Sequence, residues 1–150
     1  MPLNDALMVT DATPTRCFGI EELAVGQSVC ETVIFDSGML EGFDRLAHDR
    51  APIHFDDTVA QSAGYERRIV QGLAVTARFS RLIGMFLPGE RAVLMGVEAT
   101  FRHPVYAGTP LLYQVTVERI LRPTRTVLLT LSVSDGTRAC VTGRGRCQLR

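Results

Sequence analysis

A chain of 150 residues with a formal net charge of zero has the length of one ordinary domain with a sizeable core. Its 46% hydrophobic and 21% charged residues are typical of a soluble globular protein, and the balanced charge indicates neither nucleic acid nor an anionic membrane as a partner. The sequence has no phosphate-binding loop, no G-x-S-x-G motif and no internal repeat.

The four cysteines form no C-x-x-C pair, and the first residues do not have the pattern expected of a signal peptide. We therefore expect free thiols in a reducing cytoplasm, with no disulfide framework. The longest apolar run, from Ile69 to Leu87, contains Gln71, Arg78 and Arg81, so the sequence does not predict a membrane span.

In chain order, the first strong pattern is a strand from Ser28 to Phe35, where β-branched and apolar residues follow a turn. Asp36 or Ser37 can then cap a short helix that ends near His48. The helix is expected to bury four apolar residues at helical spacing, which are Met39, Leu40, Phe43 and Leu46.

An acid and an imidazole follow this helix in a short loop. Proline disfavours the α region for the residue before it, so Pro52 predicts an extended conformation at Ala51. A loop can aim Asp49 and His54 at one point, whereas a helix cannot at a spacing of five. We expect these two side chains to share one water molecule.

Two further helices are predicted before the remaining strands. Asp56 or Asp57 can cap a short helix through Ala63, and Gly64 suits a left-handed stop. A long, almost entirely apolar helix then runs from about Val70 to Phe86, and its few polar positions indicate that it is surrounded on most sides.

The remaining residues alternate with a period of two and predict four more strands. These strands are Val93 to Arg102, Leu111 to Leu121, Thr126 to Ser134 and Thr137 to Cys147. Asp135-Gly136 is a signal for a two-residue hairpin. We predict an α+β fold in which a curved antiparallel sheet of about five strands wraps one long central helix.

Three segments of the chain resemble the MaoC-like (R)-specific enoyl-CoA hydratases, a family of hotdog fold. The run from His48 to Asp56 is similar to the family motif G-D-x-N-P-x-H-x-D. Arg67 to Leu73 resembles the segment that opens the family's central helix, and Phe101 to Gly108 resembles F-x-x-P-V-x-x-G. The resemblance implies one hotdog domain over residues 18–150, and we expect residues 1–17 to form a flexible N-terminal arm.

By this resemblance, Asp49 and His54 are the catalytic pair, and the backbone N–H of Gly72 is the oxyanion hole. A helix N-terminus stabilises the negative charge that an enolate places on a thioester oxygen. The resemblance also implies a substrate-binding set near these groups, which comprises Ala51, Pro52, Ile53, Gln71, Leu73 and Phe101.

Departures from the family pattern leave alternatives open. Ala51 stands where the family has asparagine, and Gln71 where histidine is common. A non-catalytic acyl-thioester-binding subunit, an isomerase or a specialised biosynthetic dehydratase would fit these changes. A metal site at the histidines and aspartates of the motif is a weaker alternative, since its ligands come from one short loop.

We therefore predict a hydratase or dehydratase of a 2-enoyl or (R)-3-hydroxyacyl thioester that acts as a homodimer in the cytoplasm. Its substrate would be linked to CoA or to acyl-carrier protein, and neither a metal nor a redox cofactor is expected. The thioesterases and fatty-acid dehydratases of this fold resemble each other in carrying a carboxylate on the central helix. Residues Ile69 to Leu87 contain no Asp or Glu. This absence argues that the chain is neither a thioesterase nor a fatty-acid dehydratase of that type.

Overall fold

The computed structural model describes residues 6–150, which form one six-stranded sheet packed on helices. The strands are β1 (Leu7–Met8), β2 (Ser28–Ile34), β3 (Ala92–Phe101), β4 (Pro110–Leu121), β5 (Thr126–Ser134) and β6 (Ala139–Leu149). The helices are α1 (Ser37–Ala47), α2 (Asp57–Ser62), α3 (Gly72–Ala77) and α4 (Phe79–Met85), with short 3₁₀ turns at Pro52–His54 and Arg122–Thr124. The α+β prediction is confirmed, with one strand more than expected.

The sheet has the order β1-β2-β4-β5-β6-β3, and its pairs are antiparallel except for β1 with β2. In β5, and in β4 as far as Val117, every second side chain faces inward and is almost fully buried, as an antiparallel sheet with one covered face requires. These side chains pack against Phe79, Leu82 and Ile83 of α4 and against Phe86, which follows its last residue.

The central helix differs from the single element predicted from about Val70 to Phe86. It begins at Gly72, because Val70 is held in extended backbone by its hydrogen bond to the Val105 carbonyl (2.8 Å). The helix is interrupted at Arg78, which separates α3 from α4. The hydroxyl of Thr76 donates to the Gly72 carbonyl (3.0 Å), a type of bond that bends helices.

Helix α1 is capped as predicted but packs less deeply than expected. The Asp36 carboxylate accepts from the backbone N–H of Met39 (2.8 Å), and His48 ends the helix in the left-handed region at φ 53°. The helix has no buried residue, and Leu46, predicted to be covered, is 78% exposed. The amphipathic pattern identified the helix correctly, but the space beneath Leu46 is left open.

The cap and stop of α2 and the turn after β5 form at the positions that the local sequence predicts. Asp56 caps α2 by accepting from two backbone N–H groups, and Gly64 takes a positive φ of 89°. The hairpin at Asp135-Gly136 forms, but its loop has four residues rather than the predicted two. The Asp135 carboxylate accepts from the backbone of Thr137 and Arg138 and so stabilises the longer turn.

A buried ion-pair network joins the central helix to the edge of the sheet. Glu31 on β2 is 4% exposed and accepts from Arg78 (2.7 and 3.1 Å) and from Arg81 (3.0 Å). Arg81 also bonds the Thr10 carbonyl and Asp11. Both arginines that interrupt the apolar run from Ile69 to Leu87 are thus engaged with a buried carboxylate.

The N-terminal residues that the structure describes contact the sheet, since β1 pairs with β2 and Val9 is buried. The division into an arm over residues 1–17 and a domain from residue 18 stays a prediction, and residues 1–5 lie outside the described part. Within residues 6–150, no helix has the length and apolar character needed to cross a membrane.

Candidate active site

The end of α1 and the following 3₁₀ turn place an acid and an imidazole side by side. The left-handed conformation of His48 turns the chain, and Asp49 is then fixed because its Oδ1 accepts from the backbone N–H of Ala51 (3.2 Å). His54 closes the turn by donating its backbone N–H to the Ala51 carbonyl (3.0 Å). Local backbone bonds thus orient both side chains.

The ring of His54 has a defined orientation. Its Nδ1 lies 2.8 Å from the carbonyl oxygen of Ile69, which can only accept, so Nδ1 carries the proton in this contact. In the neutral ring the lone pair is then on Nε2. Nε2 faces Asp49 Oδ2 at 3.8 Å, which is too long for a direct hydrogen bond and suits a bridging water.

A cavity of about 420 Å³ borders His54 and reaches the start of the central helix, whereas Asp49 lies beside His54 but does not line the cavity. Among the predicted site residues, its wall includes His54, Gly72, Leu73 and Phe101. The volume is within the range of small-molecule pockets, and the exposed lining is mainly apolar. The His54 side chain and the N-terminus of α3 therefore open onto one space.

No side chain fits at position 72 while the Phe101 ring keeps its present position. A Cβ on Gly72 would lie 2.8 Å from Cζ of Phe101, whose ring is half exposed at 52%. The first N–H groups of a helix have no acceptor within the helix, so those of α3 can bond a ligand. Phe101 is the side chain that must move, or stack against the ligand, for a group to approach Gly72 closely.

The phenol of Tyr113 fixes the far side of α3. Its hydroxyl donates to the Val75 carbonyl (3.0 Å), and the side chain is fully buried. Burial raises the pKa of Tyr113, so the phenol stays neutral and keeps donating at ordinary pH. The helix that carries Gly72 is thus anchored to β4.

The other predicted substrate-binding residues lie outside the cavity wall. Ala51 and Pro52 are exposed and Ile53 is half-buried, and none of them lines the cavity. Gln71 is 2% exposed, and neither atom of its amide has a hydrogen-bond partner among the described residues. The roles assigned to these four residues stay predictions.

Several residues of the wall were not among the predicted site residues. Tyr65, Ile69 and Val70 come from the segment before α3, and their place next to the motif could have indicated this. Arg102 and His103 lie within the third motif. Val141 comes from β6, more than 60 residues after α3, and no local pattern could have indicated its contact.

Comparison with known proteins adds independent information. The sequence matches the family model described as MaoC like domain over residues 24–136. The (R)-specific enoyl-CoA hydratase of Aeromonas caviae is 29% identical over 130 residues, which are 86% of this chain and 97% of that protein. The 3-hydroxybutyryl-CoA dehydratase of Methylorubrum extorquens is 29% identical over 128 residues, 85% of this chain and 82% of the relative.

A third relative matches over a shorter range. The mitochondrial 3-hydroxyacyl-[acyl-carrier-protein] dehydratase of Arabidopsis thaliana is 39% identical over 90 residues, 60% of this chain, and the match spans only 53% of that protein. Among solved structures, the (R)-hydratase from A. caviae involved in PHA biosynthesis superimposes with a TM-score of 0.82 and 29% identity, covering 87% of this chain and 99% of the other.

Proposed function

The chain belongs to the family of MaoC-like domains, and on that premise we propose that it is an enzyme that hydrates 2-enoyl thioesters or dehydrates (R)-3-hydroxyacyl thioesters. The named relatives are hydratases and dehydratases, which are the two directions of one reaction. The hotdog fold is shared with a solved (R)-hydratase over nearly its whole length. The protein is accordingly a carbon–oxygen lyase.

The observation that carries the assignment to particular residues is the gap between His54 Nε2 and Asp49 Oδ2. At 3.8 Å the two polar atoms can each bond the same water without bonding each other. The Nε2 lone pair can accept a proton from that water, and the carboxylate can accept its second hydrogen bond. The pair therefore supports a base and an orienting group acting on one water.

In the hydration direction, the water oxygen forms a bond to C3 of the enoyl thioester. The C2–C3 π electrons move toward the thioester, whose oxygen becomes an enolate, and one water proton passes to the Asp49–His54 pair. The pair then returns a proton to C2, so that one water is added in total and no redox equivalent is needed. Dehydration follows the same steps in reverse.

The enolate oxygen would be held at the amino end of α3. Backbone N–H groups and the positive end of the helix dipole stabilise negative charge that develops there. Gly72 supports this role because it lines the cavity shared with His54 and lacks a Cβ that would block approach. Leu73 and Phe101 would form the apolar wall around the reacting carbons.

We also propose that the protein is a homodimer joined through β3. This strand is an edge of the sheet, and Val93, Leu94, Met95 and Val97 on it are each between 41% and 49% exposed. An apolar edge strand that remains uncovered is an aggregation site. Sedimentation should give a dimer, and Met95→Arg should shift it toward monomer, whereas Val25→Arg, at an exposed site elsewhere, should not.

The proposal needs no metal or redox cofactor, since a base, an orienting carboxylate and backbone donors supply the chemistry. CoA or phosphopantetheine would enter as part of the substrate. EDTA should therefore leave the rate unchanged. A cytoplasmic location is part of the same proposal and can be tested by cell fractionation.

The direct experiment follows ultraviolet absorbance of crotonyl-CoA with purified protein. Hydration removes the conjugation of the enoyl thioester, so the absorbance should fall with time, and chiral analysis should give the (R)-3-hydroxy product. Binding without loss of absorbance, for both CoA and carrier-protein thioesters, would instead favour the non-catalytic acyl-binding subunit that Ala51 and the unpartnered Gln71 amide allow.

A further inference from the structure

The wall of the cavity at His54 carries a positive charge that no carboxylate of the wall balances. Among the described residues that line the cavity, none is Asp or Glu, and Arg102 alone is arginine. The exposed His103 stands next to it in the wall, whereas Asp49 lies outside the wall. A cleft lined by one sign of charge attracts ligands of the opposite sign. The wall therefore suits a largely apolar ligand that carries one anionic group.

The guanidinium of Arg102 is held in place but is not neutralised. Its Nε donates to the hydroxyl of Thr142 (3.2 Å), and within residues 6–150 its two Nη groups have no hydrogen-bond partner. Thr142 directly follows Val141, which belongs to the cavity wall. The remaining N–H donors of the guanidinium can therefore bond a ligand, and their planar arrangement matches the oxygens of a phosphate.

Two other arginines precede the central helix, and both are engaged within the protein. Arg68 pairs with the carboxylate of Asp57 (3.3 Å). The guanidinium of Arg67 lies over the ring of Tyr106, at 4.9 Å from its centre. Neither arginine lines the cavity. Arg102 is thus the arginine that this region offers to an anionic ligand.

The backbone places Arg102 and His103 at the rim of the cavity. Their N–H groups both donate to the carbonyl of Cys140 (2.8 and 3.2 Å), which fixes the chain directly after the last residue of β3. In the pattern F-x-x-P-V-x-x-G, the two residues occupy the first pair of positions that the pattern leaves free. Their chemistry is therefore a property of this chain, and the motif alone does not imply it.

The size of the cavity places the anionic group of a thioester substrate at this rim. A compact space of about 420 Å³ is roughly 9 Å across. The pantetheine arm has roughly thirteen bonds between its sulfur and its phosphorus, or about 16 Å at ~1.2 Å per bond. With the thioester at Gly72, the phosphate lies beyond the enclosed space, where Arg102 and His103 are exposed.

We propose that Arg102 and His103 bind the phosphate at the end of the pantetheine arm. This inference rests on the proposed function and specifies its substrate class as thioesters of phosphopantetheine, whether that group is part of CoA or is attached to a carrier protein. The guanidinium and an imidazole N–H supply charge-assisted hydrogen bonds to the phosphate oxygens. Because both sources present the same phosphate, the site recognises the arm and not the rest of its carrier.

The experiment compares kcat/KM for the crotonyl thioesters of 4′-phosphopantetheine and of pantetheine, which differ by the phosphate alone. The wild type should prefer the phosphorylated thioester by about tenfold or more, the scale of a hydrogen bond to a charged group. The preference should arise in KM, since the phosphate is remote from the reacting carbons. Arg102→Gln should bring the ratio close to one, and His103→Gln should lower it by a smaller factor.

Arg119→Gln is the matched control. It removes the same charge from an exposed arginine of β4 that does not line the cavity, so the wild-type ratio should remain. Arg102 is itself exposed, and Arg102→Gln should unfold at the same temperature as the wild type. A fall of the ratio in Arg119→Gln equal to that in Arg102→Gln would overturn the assignment to Arg102.

Crotonyl-CoA and a crotonyl carrier protein distinguish the two sources of the phosphate. Arg102→Gln should raise KM by a similar factor for both, and an increase confined to one of them would overturn the shared phosphate site. Equal wild-type kcat/KM with and without the phosphate would overturn the inference and leave the proposed function intact.

If no thioester is hydrated, the proposed function fails, and calorimetry with the butyryl thioesters of 4′-phosphopantetheine and pantetheine still tests the site. The wild type must then bind the phosphorylated thioester more tightly, and Arg102→Gln must lose the difference, or the inference is wrong.

Discussion

The sheet with α4 and the segment from α1 to Ile69 are held in different ways. In β4, β5 and α4 the inward side chains are almost fully buried, and they form the core. In α1 no residue is buried, and in α2 only Ala60 is. The segment that carries Asp49 and His54 is positioned by caps and single hydrogen bonds, so the proposed acid–imidazole pair lies on the less deeply packed part of the protein.

This difference teaches that stability and activity should respond to different substitutions. Loss of volume in the core removes many contacts at once, whereas loss of one polar contact in the segment from α1 to Ile69 would shift a group that we propose takes part in the reaction. The following variants test that separation, beginning with the largest expected effect.

Phe79→Ala should lower the free energy of unfolding by about 3–5 kcal/mol, the cost of deleting a buried aromatic side chain. Phe79 is 1% exposed, and its ring packs edge-on against Tyr113 at 5.2 Å between centroids. Leu46→Ala, in the segment from α1 to Ile69, should change the free energy of unfolding by less than about 0.5 kcal/mol. Urea unfolding measures both, and equal losses would contradict the contrast between the two regions.

Gly72→Ala should reduce kcat/KM by roughly tenfold or more while the protein stays folded, since one misplaced atom at a reacting group has effects of this order. Its new Cβ would collide with the Phe101 ring and occupy the space over the helix N-terminus. Gly84→Ala is the matched control, because nothing lies within 4 Å of its Cβ position and α4 gains a better helix former. Wild-type turnover in Gly72→Ala would remove the oxyanion role.

Asp36→Ala should destabilise α1 by about 1 kcal/mol, because the Met39 N–H loses its capping acceptor. Since α1 has no buried residue and contacts the core only through partly buried side chains, we expect faster hydrogen exchange within α1 and a lower kcat, with little change in global unfolding. Asp36→Asn keeps a capping oxygen and should restore both. If hydrogen exchange in Asp36→Ala became faster to the same extent across the whole protein, α1 would not be an element that opens independently of the sheet.

The smallest effect concerns the buried thiols of the sheet. Burial raises the pKa of Cys147 to about 11 from an ordinary value of 9.0. The folded state therefore favours the neutral thiol. Cys147 contributes its full stabilisation below pH 9, and this contribution is lost as the pH rises toward 11, because the unfolded state then loses the thiol proton more readily than the folded state. Cys147→Ala should show a shallower loss of stability over that window than the wild type, although Tyr113 also contributes above pH 10.

Thiol titration gives a simpler check of the same region. Of the four cysteines, Cys17 is exposed and the other three are buried. A thiol reagent at neutral pH should modify one cysteine in the native protein and four after unfolding. Rapid reaction of more than one would show that the sheet opens more readily than its packing indicates.

Much of the fold was predictable because its signals are local. Period-two alternation located β4 and β5, and the capping aspartates Asp36 and Asp56 located the starts of α1 and α2. The interruption at Arg78 was not predictable, since Thr76 and Gly72 interact only once the helix exists. The pairing of Arg78 with Glu31 joins residues 47 apart in sequence, which no periodicity indicates.

The candidate site was predictable in part for a related reason. The motif spacing indicated that Asp49 and His54 converge, because both are in one short loop. The cavity wall also needs residues from distant elements, such as Val141 of β6, and these depend on the sheet topology. Pro52 and Ile53 belong to the motif, but neither lines the cavity, which the motif spacing alone does not indicate.

The most direct test of the central claim is a double-mutant cycle on kcat/KM with Asp49→Asn and His54→Gln. Both replacements keep polar side chains, and Asn can still accept from the Ala51 N–H. If the two residues act on one water, each single variant should lose about 10²–10⁴-fold, and the double variant should be no more than roughly threefold worse than the poorer single. Losses that multiply, or a single variant with wild-type activity, would contradict the account.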